Sequence, residues 1–101
     1  MKIIVNGTEA GTKETGCALC GATWGSYYQE FQGQNLFFCC DLCAKGFGKI
    51  LSRSGFDKVD SIEISGNYSS GRHCTAVSGE RTHRFFVRFS YDAEVSAFKE
   101  E

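Results

Sequence analysis

The chain has 101 residues, six cysteines, no proline and a formal net charge of -1 at pH 7. A chain of this length buries roughly two-thirds of its unfolded surface, so residues 1–101 are predicted to form a single domain with one modest core. Hydrophobic residues make up 42% of the chain and charged residues 23%, which is not the composition of a disordered protein. The near-balance of positive and negative residues argues against a nucleic-acid-binding surface over the whole protein.

The amino-terminal segment lacks the features of a secretory signal. Only three consecutive strongly apolar residues, Ile3 to Val5, follow Lys2 before the sequence becomes polar, which is too few for the apolar region of a signal peptide. No stretch approaches the roughly 18 apolar residues of a membrane span. We therefore expect a cytoplasmic protein without a membrane partner, in which clustered cysteines are metal ligands or catalytic thiols rather than disulfides.

The first half of the chain predicts a short strand followed by a hairpin. Lys2 to Val5 is strand-like, and a lead-in rich in glycine and threonine follows it from Asn6 to Gly16. Ser26 to Phe31 is an aromatic strand, residues 33–35 are turn-forming, and residues 36–39 are a second, apolar strand. Two such strands joined by turn residues predict a β-hairpin.

A helix is predicted directly after the hairpin. Asp41 is a suitable N-cap, Gly55 is a suitable C-terminal stop, and the helix is expected to end near Arg53. Apolar residues recur at spacings of three and four, at Ala44, Phe47 and Leu51. Gly46 and Gly48 each cost about 1 kcal/mol relative to alanine in a helix, so the helix is expected to depend on packing or on a bound ion.

The second half, residues 60–101, predicts a three-stranded antiparallel sheet and a short terminal helix. Apolar residues alternate with polar neighbours in two strands, at Ile62, Ile64 and Tyr68 and then at Phe85, Val87, Phe89 and Tyr91. Arg72 to Val77 is a strand between them, and Ser78 to Glu80 is the turn that follows it. Asp92 is expected to cap a helix that runs through Lys99.

Five of the six cysteines lie in the first half of the chain, and four of these five form two close pairs. Two residues separate Cys17 from Cys20. The second pair is either Cys40 and Cys43 or Cys39 and Cys43. Two close pairs separated by one hairpin are typical of a tetrathiolate zinc site. Zn²⁺ binds four thiolates tetrahedrally at about 2.3 Å. The sequence therefore predicts one zinc ion held by Cys17, Cys20, Cys43 and a fourth cysteine.

Around these cysteines the chain resembles the TRASH and YHS group of treble-clef zinc domains. The resemblance covers about Gly16 to Leu51 and rests on Cys17-x2-Cys20, an aromatic hairpin, and the run Phe38-Cys39-x3-Cys43-x3-Phe47. It implies a treble-clef-like zinc-binding module over residues 16–54, and it favours Cys39 as the fourth ligand, with Cys40 as the alternative. The whole chain is also similar to a small uncharacterised archaeal family of proposed zinc-binding proteins, which implies no defined activity.

These expectations combine into an α+β fold. The N-terminal treble-clef-like module consists of a knuckle, a β-hairpin and a helix, and a three-stranded antiparallel sheet and a short C-terminal helix follow it. Five aromatic residues are predicted to form a small core over the metal: Tyr27, Tyr28, Phe31, Phe37 and Phe38. Cys74 and its neighbour His73 are expected to be structural rather than metal ligands.

No catalytic motif is visible in the sequence. It contains neither a HExxH motif, nor a glycine-rich phosphate loop, nor a nucleophile elbow, and a zinc ion with four thiolates has no open position for water. We expect a monomeric, non-enzymatic protein with a structural zinc site, no evident small-molecule substrate, and a protein or nucleic acid as partner. The alternatives are heavy-metal sensing or trafficking by the same thiolates, and thiol redox chemistry.

A candidate nucleic-acid surface lies near the end of the chain. Arg84, Phe86 and Arg88 share one face of the predicted third strand, which combines cations with an aromatic ring. The alternative interpretation is a solvated sheet face with one exposed ring. His83, which opens the same strand, is expected to lie at the surface.

Overall fold

In the computed structural model of the chain, residues 1–67 and 69–101 are described; Tyr68, which the sequence assigns to a strand, lies outside the described residues. The elements are β1 (Lys2–Val5), β2 (Thr8–Glu9), β3 (Tyr27–Phe31), β4 (Gln34–Phe38), α1 (Asp41–Arg53), β5 (Ser61–Asn67), β6 (Gly71–Ser78), β7 (Arg81–Phe89) and β8 (Val95–Glu100). Six strands form one mixed sheet in the order β2-β1-β5-β6-β7-β8, and β3 and β4 form a separate hairpin.

The six-stranded sheet joins the two ends of the chain. Strand β1 pairs in parallel with β5, with Ile3 opposite Ile62, whereas β1–β2, β5–β6, β6–β7 and β7–β8 are antiparallel pairs. One face of this sheet is buried, because alternate residues such as Ile64 and Phe85 are fully inaccessible. The core cluster on this face also includes Phe47 of α1, so the helix covers the sheet.

The predicted fold class is wrong. The sequence was interpreted as a treble-clef-like module over residues 16–54, a three-stranded antiparallel sheet and a C-terminal helix, but the molecule contains a six-stranded mixed sheet, a two-stranded hairpin and one helix among the described residues. Strand β1 pairs with β5 across the entire cysteine-rich segment. Local sequence patterns do not encode such non-local pairing, because it depends on which distant segments the folded chain brings together.

The hairpin and the three strands of the second half are present as predicted, with small differences. The hairpin turn is Gln32–Gly33, both with positive φ angles of 53° and 77°, rather than residues 33–35. Strands β5, β6 and β7 form the predicted antiparallel meander. Tyr91, predicted on the third strand, lies exposed in the turn that follows β7.

The predicted C-terminal helix is absent, and residues 95–100 form strand β8 instead. A turn reverses the chain before this strand: the Ser90 N–H donates to the Glu94 carbonyl at 2.8 Å, and Ala93 adopts a φ of 62°. A helix from Asp92 to Lys99 would be too short to be stable on its own. The edge of β7 offers a row of free backbone groups, so pairing with that edge is favoured.

Helix α1 has the predicted length but a different N-cap. Cys40 rather than Asp41 is the N-cap residue, and its side chain makes no capping hydrogen bond. Gly46 lies where the helix meets the core, since a Cβ there would be 3.0 Å from the Leu19 side chain. The glycine that weakens the isolated helix therefore permits its close packing. Lys45 also anchors the helix through a 2.7 Å ion pair with Glu94.

His83 links the end of the helix to the sheet. Its Nδ1 lies 2.7 Å from the carbonyl oxygen of Ser54, and its Nε2 lies 2.6 Å from a carboxylate oxygen of Glu100. Both partners are acceptors, so both ring nitrogens must donate, as they do in the protonated imidazolium. The bonds to Glu100 and Ser54 raise the pKa of His83. The residue is half-buried rather than on the surface as expected.

The His83 contacts are expected to stabilise the fold in a pH-dependent way. Because the pKa of His83 is raised by folding, its contribution is complete below the unfolded pKa of about 6.5 and is lost as the pH rises through the folded pKa. His83→Gln should lower the free energy of unfolding by about 1 kcal/mol at low pH, and by less at high pH. Urea unfolding across this pH range measures the difference, with His73→Gln as control; a difference independent of pH would contradict this role.

Candidate metal centre

Cys17 and Cys20 lie on a tight turn that two glycines make possible. The Cys17 N–H donates to the Ala22 carbonyl, and the Gly21 N–H donates to the Cys17 carbonyl, both at 2.8 Å. Gly21 has a φ of 80°, the left-handed conformation that the sequence indicates for this position. A Cβ at Gly16 would lie 2.2 Å from the Gly21 carbonyl oxygen. The turn requires glycine at position 16 and favours it at position 21, and closure of the turn brings the two thiols together.

Cys39 and Cys43 come from the end of the hairpin and the start of the helix. Cys39 follows the last residue of β4, and Cys43 lies in the first turn of α1. Behind them, the ring of Phe47 contacts the rings of Phe38 and Phe31 edge to face, with centroids 5.6 and 5.2 Å away. These contacts hold β4 and β3 against the helix and so set the position of Cys39 relative to Cys43.

The predicted aromatic core over the cysteines is only partly present. Phe37 and Phe38 are fully buried and Phe31 is half-buried. Tyr27 and Tyr28 are 38% and 48% exposed. This prediction was wrong for the tyrosines because no element among the described residues covers the outer side of β3, and most of that strand faces solvent.

The four sulfur atoms of Cys17, Cys20, Cys39 and Cys43 all lie within 4.8 Å of one another. The Cys39 Sγ is 3.6 Å from the Cys20 Sγ and 3.4 Å from the Cys43 Sγ. Four sulfurs at about 2.3 Å from a central zinc ion would be about 3.8 Å apart in a tetrahedron. All four cysteines are free of disulfides. The cluster could therefore hold a metal ion with little rearrangement.

Cys40 lies beside this cluster and outside it. Its Sγ is 3.9 Å from the Cys39 Sγ, but the group of mutually close thiols contains Cys39 and not Cys40. Cys40 extends from the N-cap position of the helix and is half-buried. Of the two alternatives left open by the spacing, the geometry favours Cys39 as the fourth ligand.

Hydrogen bonding and burial in the cluster shift the pKa values of Cys17, Cys39 and Cys43 in different directions. Hydrogen bonds from the thiols of Cys20 and Cys43 hold the pKa of Cys17 far below its usual range. The hydrogen bond to Cys17 raises the pKa of Cys43, and burial raises that of Cys39. These directions favour a thiolate at Cys17, and a second negative charge at these short distances is disfavoured by repulsion. A bound divalent cation would allow further thiols to ionise, because its positive charge compensates the added negative charge.

The surroundings of the cluster are apolar and partly shielded from water. Cys17 and Cys39 are buried, while Cys20 and Cys43 are half-buried. Between Cys17 and Cys20, Leu19 is buried, and its N–H donates to the Cys17 Sγ at 3.4 Å. Such N–H bonds to sulfur and apolar walls are typical of the shell around a structural metal site.

The other residues that the sequence analysis considered lie outside the cysteine cluster. Cys74 is in the core as predicted, and burial raises the pKa of its thiol to about 12. Neighbouring His73 points the other way, with its Nδ1 2.9 Å from a Glu101 carboxylate oxygen. The predicted nucleic-acid residues lie on the outer face of β7, away from the cysteines. Sequence reasoning missed Lys99 opposite Phe86, because residues 92–99 were assigned to a helix.

Comparison with known proteins identifies one family. The model of the family described as Ta0938 matches residues 14–101, a span that contains the four clustered cysteines and every element from β3 to β8. No curated protein matches the chain, and neither does any solved structure. In the part of the chain that the structure describes, no helix has both the length and the apolar character needed to cross a membrane.

Proposed function

The chain belongs to the Ta0938 family, and we propose that it is a non-enzymatic protein with one structural Zn²⁺ ion, bound by Cys17, Cys20, Cys39 and Cys43. The observation that carries this proposal is the convergence of the four Sγ atoms within 4.8 Å. Zinc suits the site because it has no d-electron preference in geometry and accepts four thiolates. With four protein ligands, the ion has no free position for a substrate, which favours a structural role over catalysis.

The ion would join three segments of the chain: the cysteine turn, the end of the hairpin and the first turn of α1. The cysteine turn is tied to the hairpin by the Ala18 N–H, which donates to the Phe37 carbonyl at 3.0 Å. The first turn of α1 has no side-chain cap, so a bound Cys43 would provide its main anchor. We propose that the resulting rigid surface serves a monomeric, cytoplasmic interaction module whose partner is a protein or a nucleic acid.

Native mass spectrometry of the protein as purified tests the metal assignment. We expect one zinc ion per folded chain, because the four clustered thiols provide one complete tetrahedral site. Denaturation in acid should release the ion, since protons compete for thiolates. A folded chain that carries no metal after purification without chelators, or that carries a different metal, would contradict the proposal.

A second candidate function is the handling of soft metal ions, and the position of Cys40 supports it. Its Sγ lies 3.9 Å from the Cys39 Sγ, and the side chain is half-buried rather than enclosed. A fifth thiol next to a four-thiolate site offers a route for ligand exchange, and thiolates prefer soft ions such as Cu(I). This function would require Cys40 to affect metal preference, whereas a purely structural zinc site would not.

A further inference from the structure

The outer face of β7 carries an aromatic ring between positively charged residues. Arg84, Phe86 and Arg88 alternate along this strand with buried residues that face the helix. Cross-strand pairing places His73 of β6 on one side of Phe86 and Lys99 of β8 on the other. We call these five residues the outer-face patch. It lies on the opposite face of the sheet from the cysteine cluster.

The ring of Phe86 is held in place by the strand beside it. A Cβ at Gly71 would lie 2.3 Å from the ring, so the ring lies across the backbone of β6 at a position where only glycine fits. The His73 ring, tilted by 56°, packs against it with a centroid distance of 5.1 Å. Phe86 is therefore only half-buried yet restricted in orientation. A fixed ring on an open sheet is a platform on which an unpaired base can stack.

The cations of the outer-face patch are not neutralised by the protein. Arg84, Arg88 and Lys99 are exposed, and none of the three takes part in an ion pair with any residue that the structure describes. The carboxylate of Glu101 is nearby, but it pairs with His73 at 2.9 Å. The patch is thus positive although the whole chain has a net charge of -1, and it is complementary to a polyanion.

We propose that the outer-face patch binds single-stranded nucleic acid, with one base stacked on Phe86 and the flanking phosphates bound by Arg84 and Arg88. Four residues along a strand separate the two arginines by about 13 Å, so they lie on either side of the ring. The Arg88 Cζ lies over the ring, 6.0 Å from its centroid, so a base that stacks there displaces the guanidinium toward a flanking phosphate. A single strand fits better than a duplex, because stacking on the ring requires an unpaired base.

Fluorescence anisotropy with a labelled 15-nucleotide oligothymidine, at increasing NaCl concentrations, tests this proposal on the zinc-loaded protein. We expect binding at low salt that Phe86→Ala weakens about tenfold, within the range for loss of one stacked base. Phe86→Leu should weaken it similarly while it keeps apolar packing over Gly71. Replacing Arg84 and Arg88 together with glutamine should reduce the slope of log K against log salt by about 1.4. Lys58→Gln, which removes an exposed cation outside the patch, should change little.

Three results would overturn the proposal. The first is no binding of the oligothymidine at low salt by folded protein. The second is binding that Phe86→Leu leaves unchanged, or that Lys58→Gln weakens as much as the replacement of both arginines, because either result would indicate only general attraction to polyanions. The third is competition by polyglutamate at concentrations comparable to oligothymidine, which would indicate an acidic protein as the partner.

Discussion

A strong chelator added to the zinc-loaded protein is expected to unfold the segment from Cys17 to Arg53. Structural zinc contributes on the order of 10 kcal/mol or more to the folding of small zinc domains at neutral pH. Small proteins have total free energies of unfolding of about 5 to 15 kcal/mol. Removal of a bound zinc ion would therefore cost a large part of the stability of this chain. Helix α1, with two glycines and no side-chain N-cap, is the element we expect to be lost first.

Amide spectra recorded before and after chelation measure this effect directly. Resonances of the cysteine turn, the hairpin and the helix should lose their dispersion, and addition of excess zinc should restore it. The sheet residues of β5 to β7 provide the internal comparison, because none of these strands contributes a thiol to the cluster. Spectra that remain unchanged between residues 17 and 51 after complete removal of the metal would contradict the structural role.

Two serine substitutions at the start of the helix are expected to differ strongly. Cys43→Ser removes one of the four clustered thiols. We expect zinc affinity to fall by more than the 10- to 100-fold that is typical when a residue hydrogen-bonded to a metal ligand is replaced. We also expect the helix to be lost. Cys40→Ser makes the same chemical change three residues away, and we expect it to leave zinc affinity unchanged and to retain the helix, since serine is a favourable N-cap residue. Competition with a chromophoric chelator measures both affinities, and circular dichroism reports the helix.

The same pair distinguishes the two proposed functions. If Cys40→Ser keeps zinc but loses affinity for Cu(I), handling of soft metal ions is favoured; if both affinities are retained, the site is purely structural. Equal loss of zinc in the two variants would mean that Cys40 is a ligand and that the assignment of the fourth position is wrong. Zinc affinity that survives Cys43→Ser would contradict the four-cysteine site itself.

The local features of the chain could be predicted from its sequence because local chemistry determines them. Turn residues and strand-like composition predicted the hairpin, and the spacing of Ala44 and Phe47, with Gly55 after them, predicted the helix. The cysteine spacing predicted which thiols come together, except for the choice between Cys39 and Cys40. That choice depends on how the chain leaves β4, where a shift of one residue reverses the direction of the side chain.

The non-local features could not be predicted in this way. Strand β1 was identified, but nothing in its four residues indicates β5 as its partner. The segment that forms β8 contains both helix-like and strand-like residues, and the free edge of β7 decides between them. Burial of Tyr27 and Tyr28 was expected from their type alone, whereas their exposure follows from the absence of a layer over β3 among the described residues.

X-ray absorption spectroscopy at the zinc edge, on the protein as purified, is the most direct test of the central claim. The proposed site should show four sulfur ligands at about 2.3 Å and no nitrogen or oxygen, because Cys17, Cys20, Cys39 and Cys43 bring their four Sγ atoms within 4.8 Å of one another. A first shell with fewer than four sulfurs, or with a nitrogen or oxygen ligand, would contradict it.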